Sequence, residues 1–335
     1  MIFVTGGTGL VGSHILLDLT SQNIKVKAMK RKNSSLEIIN KVFKYYQKSK
    51  LLENIQWVDG DLLDTYTLDQ HLEGCNKVYH AAAFVSFHPK DVKKMMDINI
   101  NGTANLVNIC LDKKIKKLIH ISSISSLSKT KDLSPINEEC YWIDSENKTN
   151  YAFSKYLSEQ EVWRGIQEGL DAVILNPSVI LGPGDWSKGS SQLFTKVWNG
   201  LKYYTLGSTA YVDVVDVSKA CLALMESNIK NERFIISSQN VSYKHLFEQI
   251  ALHLNKKIPH IQVTPFLKEV AWRLDWLKYI FTGKKPLLTK ETANQAMNCS
   301  IYSNKKITQF GITFTPIDKS IEKYSKWFLE ENSID

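Results

Sequence analysis

Thr5-Gly6-Gly7-Thr8-Gly9-Leu10-Val11-Gly12 follows directly on the apolar run Met1-Ile2-Phe3-Val4 and leads into a helical pattern over residues 9–21. A strand, a glycine turn and a helix in that order decide the architecture. Gly6 or Gly7 permits the tight turn, Gly9 lets the backbone approach a pyrophosphate, and Gly12 lets helix and strand pack closely. The helix N-terminus offers free N–H groups and the positive end of its dipole to phosphates. The spacing predicts a dinucleotide cradle in which Gly6, Thr8, Gly9, Leu10, Val11 and Gly12 meet the cofactor. A glycine turn without a ligand is the plain alternative, and the strand–turn–helix context weighs against it.

Working outward, short apolar runs alternate with helical patterns through the first two-thirds of the chain. Strands are expected at residues 2–5, 25–29, 55–58, 77–81, 117–122 and 172–176, and helices at about 9–21, 91–111 and 151–168. Strands separated by helices imply right-handed βαβ units and a parallel sheet. The unbroken apolar character of residues 172–175 fits a strand covered on both faces. After Asn176 the alternation weakens, and residues 246–297 read as helix-rich. The fold class is therefore α/β, a doubly wound parallel sheet of the Rossmann kind with a smaller, mostly helical C-terminal substrate lobe. The expected division gives residues 1–175 to the nucleotide-binding domain, with 207–230 returning to it, and residues 176–206 and 231–335 to the lobe. Residues 266–281 carry Trp272 and Trp276 on one helical face and read as a lid or core helix of that lobe, with an interfacial membrane helix as the alternative.

The end of the second strand bears on the cofactor. An NAD enzyme commonly places an acidic residue there for the ribose 2′-hydroxyl. Here Val26-Lys27-Ala28-Met29 runs into Lys30-Arg31-Lys32, with no carboxylate until Glu37. A guanidinium matches phosphate geometry, so Arg31 suits a 2′-phosphate and NADP(H) is favoured over NAD(H). Asp61-Leu62, after the third strand, could meet the adenine. Ala81, Ala82 and Ala83 are small residues at the end of the fourth strand, against which a flat cofactor could lie.

Tyr151 and Lys155 stand four residues apart on an expected helix, hence on one face. A free tyrosine has a pKa near 10, and a neighbouring ammonium would lower it. Such a pair can donate a proton to a carbonyl oxygen or accept one from an alcohol. Ser122 and Ser123, ending the fifth strand, supply hydroxyls that could polarise the same oxygen.

Taken together, TGGTGLVG (5–12), DL (61–62), HAAA (80–83), NINGT (99–103), HISS (120–123), YAFSK (151–155), NPSVILGP (176–183) and YVDVVDV (211–217) resemble the extended short-chain dehydrogenase/reductases over nearly the whole chain. The resemblance implies a catalytic set of Ser123, Tyr151 and Lys155, with Asn99 supporting the site or a proton relay. It also implies that Ser122, Asn176, Pro177 and Ser178 border the cofactor, the last two at the nicotinamide. It further implies a homodimer formed through the helices at 91–111 and 151–168.

Three features choose among the branches of that family. Ser122-Ser123-Ile124-Ser125 carries no carboxylate, which disfavours elimination chemistry. Thr209-Ala210-Tyr211 stands where sugar-nucleotide enzymes often carry an arginine for the diphosphate. Asn176-Pro177-Ser178 followed by Gly182-Pro183-Gly184 is similar to the dihydroflavonol-4-reductase and carbonyl-reductase branch. The expected activity is hydride transfer between NADP(H) and a small, apolar aldehyde, ketone or secondary alcohol. Phe84, Val85, Trp186 and His88 are expected near the substrate with Ser123, although a surface-loop histidine is the plainer reading of His88. The alternatives are an NAD-dependent nucleotide-sugar 4-epimerase using the same triad, and a non-catalytic NADP-sensing protein, against which the intact Ser–Tyr–Lys set argues.

Composition excludes other classes. The 335 residues are 43% hydrophobic and 23% charged, ordinary for a globular protein. Five cysteines are scattered without a CxxC pair, so neither a disulfide framework nor a metal site is expected. The net charge of +8 comes from lysines spread along the chain, with only four arginines, so no nucleic-acid partner is expected. No apolar run of about 18 residues occurs, so no membrane partner is expected. The first residues lack a signal-peptide pattern, and a cytoplasmic location is expected.

Overall fold

A computed structural model describes residues 1–128, 135–143, 148–282 and 289–332. The strands are β1 (Ile2–Thr5), β2 (Val26–Lys30), β3 (Ile55–Asp59), β4 (Lys77–His80), β5 (Lys117–Ile121), β6 (Ala172–Pro177), β7 (Val179–Leu181), β8 (Tyr203–Tyr204), β9 (Ser208–Asp213), β10 (Glu232–Ile236), β11 (Gln239–Ser242) and β12 (Ile261–Gln262). Seven of them form one parallel sheet in the order β10-β6-β5-β4-β1-β2-β3. The order reverses between β1 and β4, the switch point outside whose carboxyl ends ligands bind in open α/β sheets. Each expected strand matches an observed one to within a residue or two at its ends, because the βαβ period is strong in this half of the chain.

Apolar side chains leave both faces of the sheet, as a doubly covered parallel sheet requires. Val4, Ile119, Ile121 and Val173 pack with the helices Leu10–Ser21 and Val214–Glu226 on one face. Phe3, Val78, Leu118 and Ile174 pack with the helices Thr65–Leu72, Gly102–Asp112 and Asn150–Gln167 on the other. A third core joins Phe194, Tyr211, Leu246, Tyr324 and Trp327 beneath the small sheet β11-β9-β7. That core seats the C-terminal helix Ile317–Asn332.

Three departures from the sequence-based expectation stand out. The strand β10 lies within residues 231–335, the stretch assigned to the lobe, yet it pairs with β6 as an edge of the large sheet. Its opening Glu232-Arg233 hides a strand in a search for continuous apolar runs. The helix expected over residues 91–111 is four pieces: a 3-10 turn at Pro89–Asp91, an α segment at Val92–Met96, a π turn at Asp97–Asn101, and the helix Gly102–Asp112. The π turn adds a residue to the ladder and carries Asn99 inward, where it is 2% exposed. The helix Pro265–Thr282 has no buried residue, so it is not a core helix; residues 283–288, also inside the helix-rich stretch, lie outside the described part.

Three histidines are buried as neutral rings. His14, on the first helix, is lowered from 6.5 to about 4 by burial. His80 is lowered to about 3 by burial and by the Lys155 charge, and His120 is lowered well below its ordinary value for the same reasons. Their folded-state pKa values lie below the unfolded value, so the unfolded chain binds more protons in acid. Their contribution is intact above pH 6.5 and is lost as the pH falls from there toward 4. We predict that each such histidine removes about 2 kcal/mol of stability between pH 7 and pH 5. Urea unfolding at the two pH values should show this loss, and His14→Phe should make the pH dependence shallower. An equal slope in wild type and His14→Phe would contradict the assignment.

Candidate active site

Gly9 caps the helix Leu10–Ser21 without any side-chain cap, and no acidic residue stands in its first turn. No side chain of that helix's own first turn satisfies its first N–H groups, which leaves them available to an anion. Gly6 has φ +72°, and a Cβ there would lie 2.5 Å from the Ala82 nitrogen. A Cβ on Gly12 would lie 2.2 Å from the Gly6 oxygen. Both glycines are thus demanded by backbone packed on backbone. At Gly9 the nearest atom to an added Cβ is the Gly6 oxygen at 3.4 Å, which leaves the mouth of the turn clear. A pyrophosphate fits this cradle.

Behind the turn, a polar chain links it to the catalytic helix. Thr5 Oγ1 meets His80 Nδ1 at 2.7 Å, and His80 Nε2 meets Thr103 Oγ1 at 3.0 Å. Thr103 donates to the Asn99 carbonyl at 2.6 Å and meets Ser158 Oγ at 2.9 Å. The Asn99 amide accepts from Phe84 N at 2.7 Å and donates to Phe84 O at 3.0 Å and to Ser154 Oγ at 3.0 Å. Asn99 therefore clamps the loop that follows Ala81, Ala82 and Ala83 against the helix bearing Tyr151. Asp61 accepts from Leu63 N, and Leu62 O accepts from Asn105 Nδ2, so both belong to a fixed turn after β3.

Thr149 caps the catalytic helix, accepting from Ala152 N at 3.0 Å, and so sets where Tyr151 begins the first turn. The Ser123 hydroxyl lies close enough to the Tyr151 phenol to act on its proton affinity. Ser123 Oγ also accepts from Ser125 N at 3.1 Å, which fixes its rotamer. Burial raises the Tyr151 pKa, and the Ser123 hydrogen bond pulls it the other way. Lys155, expected to depress that phenol, acts elsewhere. Its ammonium donates to the Ile121 carbonyl at 2.7 Å, and burial lowers it from 10.5 to about 8 against the opposing pull of Glu159.

Glu159 was not anticipated, although Tyr151, Lys155 and Glu159 repeat every four residues along one face of the helix. It is 1% exposed and fully engaged. One carboxylate oxygen accepts from Ser122 Oγ, Ser126 Oγ and Asn176 Nδ2 at 2.8, 2.8 and 2.9 Å. The other accepts from Trp163 Nε1 at 3.3 Å and pairs with Arg233 at 3.1 Å. Ser122 and Asn176, expected at the cofactor, thus turn their side chains to a buried carboxylate. Ser178, expected beside Pro177 at the nicotinamide, donates its hydroxyl to Ile236 O.

Of the residues expected at the substrate, Phe84 lies under Lys94 and Val85 is exposed. Trp186 packs on Phe194 and Phe328 and donates to Glu331, so it belongs to the core around the C-terminal helix rather than to the Tyr151 cluster. His88 caps the turn at residues 89–91 and meets Tyr279 edge-on. Phe87, which sequence reasoning missed, is the ring that meets Tyr151, with centroids 5.8 Å apart. Nothing in its local pattern separates it from its loop neighbours. Arg31 is exposed immediately beyond β2, while Lys30 beside it pairs with Asp59.

Breaking a buried ion pair from one side costs about 3–5 kcal/mol. We predict that Glu159→Gln lowers the melting temperature and, by loosening Ser122 and Asn176, lowers kcat more than it raises KM. Unchanged melting and kcat would show that the carboxylate holds nothing together.

Comparison with known proteins agrees with this geometry. The family model described as "NAD dependent epimerase/dehydratase family" matches residues 2–237. A putative dihydroflavonol 4-reductase of Synechocystis is 25% identical, over 97% of this chain and 94% of its own. Tetraketide alpha-pyrone reductase 2 of Arabidopsis thaliana is 32% identical, over 76% and 81%. Among solved structures, gox2253 superposes with a TM-score of 0.81 at 26% identity, covering 99% of this chain and 98% of that one. A UDP-glucose 4-epimerase from Thermotoga maritima has a TM-score of 0.77 at 19% identity, covering 98% and 99%, a likeness of fold alone. The chain belongs to the NAD-dependent epimerase/dehydratase family and is a pyridine-nucleotide-binding oxidoreductase of the extended short-chain dehydrogenase/reductase type.

Proposed function

We propose that this protein is an NADPH-dependent reductase of a small, apolar aldehyde or ketone. The observation that carries the reading is the grouping of Tyr151, whose ring meets Phe87, with Lys155 one turn along the same helix and with Ser123 just beyond β5. A phenol that is protonated at neutral pH can give its proton to a carbonyl oxygen as hydride arrives, which suits reduction. NADPH supplies the hydride when bound. Tyr151 donates its proton to the carbonyl oxygen, Ser123 donates a hydrogen bond to the same oxygen, and carbonyl plus hydride plus proton gives the alcohol. Lys155 would hold the ribose, and Gly6, Gly9 and the N–H groups of residues 10–12 the pyrophosphate.

Two further features support the choice within the family. The arginines of the C-terminal part are engaged. Arg233 binds Glu159 and the carbonyls of Glu138 and Cys140, and Arg273 pairs with Glu269. Neither is placed to clamp the diphosphate of a nucleotide sugar. The preference for NADPH rests on Arg31, which makes no ion pair among the described residues, and on the pairing of nearby Asp59 with Lys30.

Tyr151→Phe should lower turnover of a ketone by at least about a hundredfold while NADPH binding, read by nicotinamide fluorescence, stays intact. Arg31→Ala should weaken NADPH about tenfold and leave NADH unchanged. A protein that is indifferent to the 2′-phosphate would refute the cofactor preference. The pH dependence follows from Lys155. Its charge is present below about 8 and lost above it, so kcat/KM for reduction should fall as the pH rises through about 8. A profile flat to pH 10 would contradict a role for the ammonium.

A further inference from the structure

The helix Pro265–Thr282 is packed with its apolar side outward. Phe266, Val270, Leu274, Leu277 and Phe281 recur at helical spacing along one stripe, and all are exposed, Phe266 at 79%, Leu274 at 59% and Phe281 at 83%. The opposite side faces the protein. Lys268 donates to Asn294 Oδ1 at 2.7 Å, and the Tyr279 ring meets His88 edge-on. In water such an arrangement leaves a contiguous apolar patch uncovered, the mark of an interaction surface.

The charges around the patch say what covers it. Arg273 and Lys278 are exposed on the helix itself. Lys90, which lies over the Tyr279 ring, and Lys93, whose side chain is 89% exposed, extend the basic ground on the adjoining segment. The nearby acids are countered: Glu269 by Lys268 and Arg273, Asp97 by Lys93, and Asp275, on the helix itself, by the field of Lys196, which leaves Lys90 and Lys278 as the basic groups beside the stripe without a carboxylate partner among the described residues. The whole chain carries +8. A second copy would bring the same cations against themselves, whereas an anionic lipid surface offers them opposite charge and the apolar stripe a place to bury.

We infer that this helix docks the protein on an anionic phospholipid surface, lying in the interface with Phe266, Leu277 and Phe281 inserted and the lysines at the headgroups. No helix among the described residues is long and apolar enough to cross a membrane, so the contact is with one leaflet. Sequence reasoning expected no membrane partner because no apolar run is long enough to span a bilayer, and it placed an interfacial helix here behind a lid or core helix. The surface is close to the chemistry: Tyr279 touches His88, whose neighbour Phe87 meets the Tyr151 ring.

The test is co-sedimentation of the full chain with vesicles of phosphatidylcholine alone and of phosphatidylcholine with about one-third phosphatidylglycerol. Neither cofactor nor substrate is needed, so the result is independent of the reductase reading. Wild type should bind the anionic vesicles and not the neutral ones. The double variant Leu277→Glu, Phe281→Glu should bind about tenfold more weakly or worse, and Lys278→Glu severalfold more weakly, with NADPH binding unchanged in both as the check on folding. Wild type left in the supernatant, equal binding to both vesicle types, or retention by the double variant would overturn the proposal. So would a dimer seen by light scattering that the double variant converts to monomer without any vesicle binding.

Discussion

A buried carboxylate organises this active site. Glu159 cannot leave the interior uncompensated, since an ion removed from water without partners is strongly disfavoured. Its partners come from four directions: the end of β5 through Ser122 and Ser126, the end of β6 through Asn176, the edge strand β10 through Arg233, and its own helix through Trp163. Satisfying one side chain thus fixes the catalytic helix against three strands. Ser123 follows Ser122 directly and Tyr151 lies two turns before Glu159, so the separation of the two hydroxyls proposed to meet the carbonyl oxygen is set by this network. Arg233 carries the constraint outward to the carbonyls of Glu138 and Cys140.

The cofactor side is held by a different device. Gly6 and Gly12 bring backbone into contact with backbone, and the Thr5–His80–Thr103 chain ties the glycine turn to the helices beneath the sheet. Through Asn99 and Ser154 that chain reaches the helix of Tyr151. The glycine turn and the proposed proton donor Tyr151 are therefore positioned by networks that meet on one helix. Neutral histidines suit the inner links, because a ring that donates from one nitrogen and accepts at the other can join two hydroxyls without bringing a charge into the core.

Much of this was legible in the sequence wherever a pattern maps onto a period. The glycine turn, the βαβ alternation and the Tyr151–Lys155 spacing each have a periodic or local signature, and each is found where expected. What could not be read depends on long-range pairing. The strand β10 opens with Glu232-Arg233, whose arginine is drawn inward by a glutamate 74 residues away. Asn99 owes its burial to a π turn that an amphipathic period does not reveal. The outward stripe of Pro265–Thr282 left lid, core and interfacial helix open, because an apolar period says only that one face differs from the other, not which face meets the protein. Trp186 was placed by its loop, and its ring went instead to the C-terminal helix.

The most direct test of the account follows a deuterium. The protein would be given an apolar ketone and NADPH labelled with deuterium at the transferable position of the nicotinamide, and the product analysed by mass spectrometry. The account predicts an alcohol carrying one deuterium on its carbinol carbon, formed in step with NADPH oxidation. Labelled NADPH left untouched, while a nucleotide sugar is converted to its C4 epimer by protein that retains bound NAD, would contradict it.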